Sequence, residues 1–130
     1  MFLGYSNECK KVIDRAKGYA MTSGGLLGTE HLIAGMLNVE DSEAGQLLKN
    51  VGVDADRYMR TIPFTNVKQA DYRMSARVEN IISKASREAK MNGQDSVTSM
   101  DLLFAILQDP TSYGVNNLAQ QGIDVNLLFI

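Results

Sequence analysis

Residues 6–25 read SNECKKVIDRAKGYAMTSGG, and residues 75–94 read SARVENIISKASREAKMNGQ. Laid over one another at an offset of 69, Ser6, Ile13, Ala16, Ala20 and Gly24 meet Ser75, Ile82, Ala85, Ala89 and Gly93. Past a one-residue insertion the offset becomes 70. Leu32, Leu37, Ser42, Leu48, Gly52 and Asp54 then meet Leu102, Leu107, Ser112, Leu118, Gly122 and Asp124. A period this long marks a duplicated and fused supersecondary unit rather than a short solenoid repeat. Duplication of this kind points to a binding surface more than to a catalytic pocket.

Within the first copy, Cys9, Val12, Ile13, Ala16 and Ala20 fall at helical spacing and form one apolar stripe. Val78, Ile81, Ile82, Ala85 and Ala89 repeat it in the second copy. Ser6 and Ser75 stand where N-caps belong. Gly24-Gly25 and Asn92-Gly93 supply the left-handed residues that end a helix. Thr29 and Ser99 read as caps of a second helix, Ser42 and Ser112 as caps of a third, and Asp54 and Asp124 as caps of a short fourth. The expectation is an all-α fold of two four-helix repeats, about eight helices, related by a pseudo-twofold axis. One domain is expected over residues 1–130: repeat one at 5–60, a Pro63-containing linker at 61–72 and repeat two at 73–130. A groove between the repeats, with the linker crossing nearby, is the expected binding surface. The stop at Ile130, inside the eighth expected helix, suggests a piece of a longer chain.

Composition narrows the function. A net charge of −2, with 45% hydrophobic and 22% charged residues, suits a chain that buries a core and gives no electrostatic reason to bind nucleic acid or an anionic membrane. The single cysteine, Cys9, cannot form an internal disulfide, and no apolar run is long enough to span a bilayer. A soluble cytoplasmic domain is the expectation. Metal binding needs three or four convergent ligands, and one histidine and one cysteine do not supply them. His31, beside a helix start, reads as a packed, hydrogen-bonded side chain, and Cys9 as a small buried hydrophobe. The chain contains no G-x-x-x-x-G-K-[ST], G-x-S-x-G or H-E-x-x-H string. No cofactor and no catalytic activity are expected. Arg73, Arg77, Lys84, Arg87 and Lys90 give the fifth helix a basic side, which is either a solvated face or a surface for an acidic partner.

The duplicated helices, the string Gly28-Thr29-Glu30-His31-Leu32 and the paired Gly-Val-Asp and Gly-Ile-Asp helix stops resemble the Clp N-terminal domain family, and most nearly its ClpC branch. These are the double-repeat modules at the front of the Clp ATPases. The resemblance implies a non-catalytic module that binds protein substrates and adaptor proteins, attached to Clp ATPase rings that serve a Clp protease. A free-standing Clp N-domain regulator or adaptor without a motor is the alternative. Resemblance to ClpC further implies recognition of phosphoarginine. It maps the guanidinium-binding carboxylate to Glu30 and the phosphate-binding hydroxyl to Ser6, with Thr29 near the helix start and Ser75 as a weaker second site. A guanidinium fork matches a carboxylate, and a helix start favours an anion. Glu30 is equally explained as a helix-start carboxylate interacting with the macrodipole. The second repeat departs from the motif, with Met100 in the glutamate's place and Asp101 in the histidine's. Phe2, Leu3, Tyr5 and Phe64, with Tyr72, are the expected contacts for apolar peptide segments.

Overall fold

The computed structural model describes residues 3–129, and side chains through Leu128. Phe2, one of the expected peptide contacts, lies outside the described residues. Repeat one forms α1 (Asn7–Met21), α2 (Thr29–Asn38), α3 (Glu43–Asn50) and α4 (Ala55–Met59). Repeat two forms α5 (Ala76–Met91), α6 (Ser99–Leu107), α7 (Tyr113–Ala119) and a final 3-10 helix, Val125–Phe129.

The eighth expected helix is therefore a 3-10 helix rather than a fourth α-helix. The capping aspartates show the difference. Asp54 accepts from the Arg57 amide three residues on, as an α-helix start requires, whereas Asp124 accepts from Asn126 only two residues on. Ser6, Ser75, Ser42 and Ser112 cap their helices as expected, each accepting from the backbone N–H three residues ahead.

The apolar stripe of α1 is buried throughout, with Cys9, Val12, Ala16 and Ala20 fully enclosed. On α5 the stripe is displaced: Val78, Ile81, Ala85, Ser86 and Ala89 are buried, and Ile82 is half-buried beside Tyr5 and Met74. The centre belongs to α2 and α6, in which Leu32, Ile33, Met36, Leu102, Leu103 and Ile106 are inaccessible. Helices α1 and α2 run antiparallel at close range. A Cβ on Gly35 would stand 2.7 Å from the Val12 carbonyl oxygen, so glycine is what lets the two backbones meet.

Two short parallel pairings, too brief to leave a period in the sequence, tie the repeats together crosswise. Leu26-Leu27 of repeat one (β1) pairs with Arg73-Met74 (β2), the lead-in to α5, and Tyr5, the lead-in to α1, bridges Val97, the lead-in to α6. The bonds obey the pseudo-twofold: Ser6 N donates to Val97 O (2.9 Å), and Ser75 N to Leu27 O (3.1 Å). Each repeat thus pairs the lead-in of its first helix with the lead-in of the other repeat's second helix. The linker packs over the C-terminal end of α1, where Thr65 N and Gln69 N satisfy the carbonyls of Thr22 and Met21.

Candidate functional site

The crosswise pairing creates two pseudo-equivalent junctions, one at the start of α2 and one at the start of α6. Hydroxyls that look like caps in the sequence serve here as links between repeats. Gly28, not Thr29, is the N-cap of α2, and Thr98, not Ser99, is the N-cap of α6. Thr29 Oγ1 instead accepts from the Gly114 amide of α7 at 2.8 Å, and Ser99 Oγ accepts from the Ala44 amide of α3 at 3.2 Å. Both side chains are buried, so neither hydroxyl is exposed to a ligand. Each satisfies an otherwise unpaired helix-start N–H of the opposite repeat.

His31 and Asp101 hold the turns before these helices. Gly28 N donates to His31 Nδ1 (2.9 Å), as Thr98 N donates to Asp101 Oδ2 (2.8 Å). Each then reaches the end of the preceding helix, His31 through Ser23 Oγ (2.7 Å) and Asp101 through Gln94 Nε2 (2.7 Å). Burial pushes the His31 ring down to about 4, so the ring is neutral. With Nδ1 accepting from Gly28, the Nε2–H donates to Ser23, whose hydroxyl donates in turn to Tyr19 O. The 3.3 Å approach of Glu30 Oε1 to Nδ1 is accordingly not an ion pair. The reading of His31 as a packed, hydrogen-bonded side chain agrees with this geometry.

Glu30 folds back over the N-cap. A Cβ at Gly28 would overlap its carboxylate, so the glycine leaves the space the side chain fills. The Glu30 side chain is 15% exposed. Burial raises its pKa, against the opposing pull of the Glu30 and His31 backbone N–H groups. The result is a desolvated carboxylate at a rim, poised to gain from a cation that replaces lost water.

Ser6 does not share that rim. Ser23 meets His31 at one end of the antiparallel α1/α2 pair, while Lys11 Nζ meets Asp41 (3.0 Å) and Glu8 meets the Glu43 amide at the other. A helix of 15 residues separates Ser6 from Glu30, about 22 Å along its axis. Ser75 is the serine that the Leu27 pairing brings to the α2 start. Expected as one constellation, Ser6, Thr29 and Glu30 therefore divide: Glu30 lies over the α2 start to which Ser75 is paired through Leu27, Thr29 is engaged inside, and Ser6 belongs to the α6 junction.

That second junction is occupied by a residue the sequence reading passed over. The Glu8 carboxylate accepts from Ser6 Oγ (2.8 Å), Ser99 N (2.9 Å), Glu43 N (3.1 Å) and Ser99 Oγ. A first-turn acid reads only as a macrodipole partner. The available signal was its counterpart at an offset of 69, the oppositely charged Arg77.

Clefts lie both within a repeat and at the repeat boundary. A groove of about 1260 Å³ lies within repeat one, lined by Lys11, Arg15, Tyr19, Val39 and Glu40 among others. A smaller cleft of about 380 Å³ lies at the repeat boundary, between Tyr5, Met74, Glu79, Ile82 and Ser83. Tyr5 borders that cleft, half-buried, with its hydroxyl pushed up to about 12 by burial first and then by Cys9 and Tyr72. Leu3 packs partly buried against the core. Phe64 is elsewhere, edge-on to Tyr19 with ring centroids 5.9 Å apart and 42% exposed. Cys9 is fully buried, and desolvation, then Glu8 and Asp101, raise its pKa, the opposite of what a nucleophile needs. Among the described residues no group of three or more His, Cys, Asp or Glu could hold a metal, and no helix is long and apolar enough to cross a membrane.

Comparison with known proteins agrees with this architecture. The profile of the Clp repeat (R) N-terminal domain family matches residues 4–69 and 73–129. A probable ATP-dependent Clp protease ATP-binding subunit from Chlamydia pneumoniae is 30% identical over 132 residues, covering 95% of this chain and 16% of that one. The chain thus spans about a sixth of that relative's length. Among solved structures, the N-terminal domain of the caseinolytic protease associated chaperone ClpD from Arabidopsis thaliana superposes with a TM-score of 0.74 at 14% identity, covering 95% of this chain and 91% of that one. The Hsp104 N-terminal domain from Candida albicans gives 0.74 at 18% identity, covering 95% and 85%. A ClpV N-domain in complex with a VipB peptide gives 0.73 at 17% identity, covering 95% and 81%.

Proposed function

The chain belongs to the Clp repeat N-terminal domain family, and from that premise we propose that it is the substrate- and adaptor-binding module of a ClpC-like Clp ATPase. Its work would be recruitment: a bound protein held beside ATPase rings reaches them at raised effective concentration, without new contacts between ring and substrate. Unfolding and proteolysis would reside in other domains and subunits. The neighbouring fold that was solved with a peptide, the ClpV N-domain, supports a binding role for this architecture.

The finer reading is that the module recognises phosphoarginine at the start of α2. The observation that carries it is Glu30, a carboxylate already stripped of most of its water and held at a rim beside the lead-in to Ser75. A guanidinium would pair with Glu30 through two donors. The attached phosphate would take the Ser75 hydroxyl and the N-terminal turn of α5, a helix of 16 residues. This replaces Ser6 and Thr29 by Ser75 as the partner of Glu30.

The test is titration of the domain with free phosphoarginine, with arginine and phosphoserine as controls, following backbone amides residue by residue. Saturable shifts are expected at residues 28–32 and 75–78, absent in Glu30→Ala. Shifts centred on Ser6, or none, would overturn this site and leave adaptor docking as the module's role.

A further inference from the structure

At the α6 junction four donors converge on one point: the Ser6 and Ser99 hydroxyls and the Ser99 and Glu43 amides. Two of them are helix-start N–H groups, on α6 and on α3. Such a set, two hydroxyls and two unpaired amides at helix N-termini, is the environment an oxyanion takes. Here it is filled from within, by both oxygens of the Glu8 carboxylate. At the pseudo-equivalent junction the residue in this position is Arg77. Its partners are Asp109 (3.2 Å) and Thr111 Oγ1 (3.1 Å). One junction carries its own anion, and the other carries none at that position.

We propose that Glu8 is a built-in occupant of the α6 junction, a specificity-determining residue that restricts recognition of an external oxyanion to the α2 junction. The proposal rests on the reading of the α2 junction as the phosphoarginine site, and it makes the duplicated module one-sited through two separate changes. Met100 removes the carboxylate that would hold a cation, and Glu8 fills the place that would hold the anion. A carboxylate on the same chain is present at a high effective concentration, so an external phosphate must displace it against both tethering and like charge.

The experiment compares the wild-type domain, Glu8→Ala and Glu8→Gln, titrated with inorganic phosphate and with phosphoarginine at matched ionic strength, following the Glu43 and Ser99 amides. In the wild type these two amides should not move. In Glu8→Ala they should shift saturably with phosphate, half-saturating at a concentration at least tenfold below any response of the wild type. Glu8→Gln keeps the size and an acceptor oxygen but not the charge, so it should show a weaker shift of the same kind. It decides the matter if Glu8→Ala does not fold. Silent Glu43 and Ser99 amides in a folded variant, or equal movement in the wild type, would overturn the proposal. Failure of the α2 reading is separate, since it shows as silence at residues 28–32 with phosphoarginine in all three proteins.

Discussion

The two repeats keep their hydrogen bonds while changing the chemistry that makes them. His31 and Asp101 stand at equivalent positions, accept equivalent N-cap amides and reach equivalent helix ends, yet one is an imidazole and the other an aspartate. Thr29 and Ser99 likewise accept the first amides of opposite helices. What the duplication preserves is a donor with an acceptor at a fixed place, because a buried unpaired amide costs about 1–3 kcal/mol whatever residue fails to meet it. Two of the places where the repeats do differ, Glu8 against Arg77 and Glu30 against Met100, fall on the junction rims.

The strongest way to break this equivalence is in the core. Ile13→Ala should cost ~2–5 kcal/mol, since Ile13 is 3% exposed and its removal leaves a cavity. Ile82→Ala should cost about 1 kcal/mol, because the half-buried Ile82 can be replaced by water in the adjoining cleft. Chemical denaturation of the two variants measures the gap, and equal losses would mean that α5 packs as α1 does.

Next is acid. His31 is held neutral, down to about 4, whereas the unfolded chain's histidine titrates near its ordinary value of about 6.5. The unfolded state therefore binds the extra proton first. The stability this group contributes is complete above pH 6.5 and is lost as pH falls toward 4, on the order of 2–3 kcal/mol. His31→Asp, which copies repeat two, should keep the Gly28 bond and flatten the thermal midpoint between pH 6.5 and 4 relative to the wild type. A slope unchanged in the variant would assign the acid loss to other groups.

Thr29→Val and Ser99→Ala should each lower stability by ~1–2 kcal/mol, by leaving Gly114 N or Ala44 N unpaired across the repeat boundary. Hydrogen exchange at those two amides should speed up in the matching variant alone. Smaller still, Arg77→Ala should cost no more than about 1 kcal/mol, since the Arg77–Asp109 pair is half-exposed. Lys11→Ala, which removes an exposed pair with Asp41, should leave the unfolding curve unchanged.

The helices were legible because their apolar stripes and stop glycines are local signals, and the caps Ser6, Ser42, Asp54, Ser75 and Ser112 act within four residues of themselves. Caps of α2 and α6 were misplaced by one residue for a physical reason. A hydroxyl at a helix start looks like a cap, but Thr29 and Ser99 spend theirs on a partner far along the chain. Ile82 fits the helical period, and only the position of Tyr5 and Met74 decides that it stays half-open. The site suffered most. Pairing Ser6 with Glu30 follows from their membership of one repeat, and nothing local says that the α1/α2 hairpin holds them apart or that Ser75 arrives from the other half. Glu8 escaped because its three partner residues include two, Glu43 and Ser99, that lie far away in sequence.

The crosswise strand pairing makes the molecule, in effect, a dimer closed within a single chain. Neither half holds the partner for its own lead-in, so a solitary repeat would present bare backbone at both Tyr5 and Leu27 or at both Met74 and Val97. Only the solvent-exposed linker makes the exchange intramolecular. Two chains with that linker pulled straight can trade halves and keep every bond of the crosswise pairing, losing only the linker's own bonds to Thr22 and Met21, so the fold holds a latent route to a swapped assembly in its own symmetry.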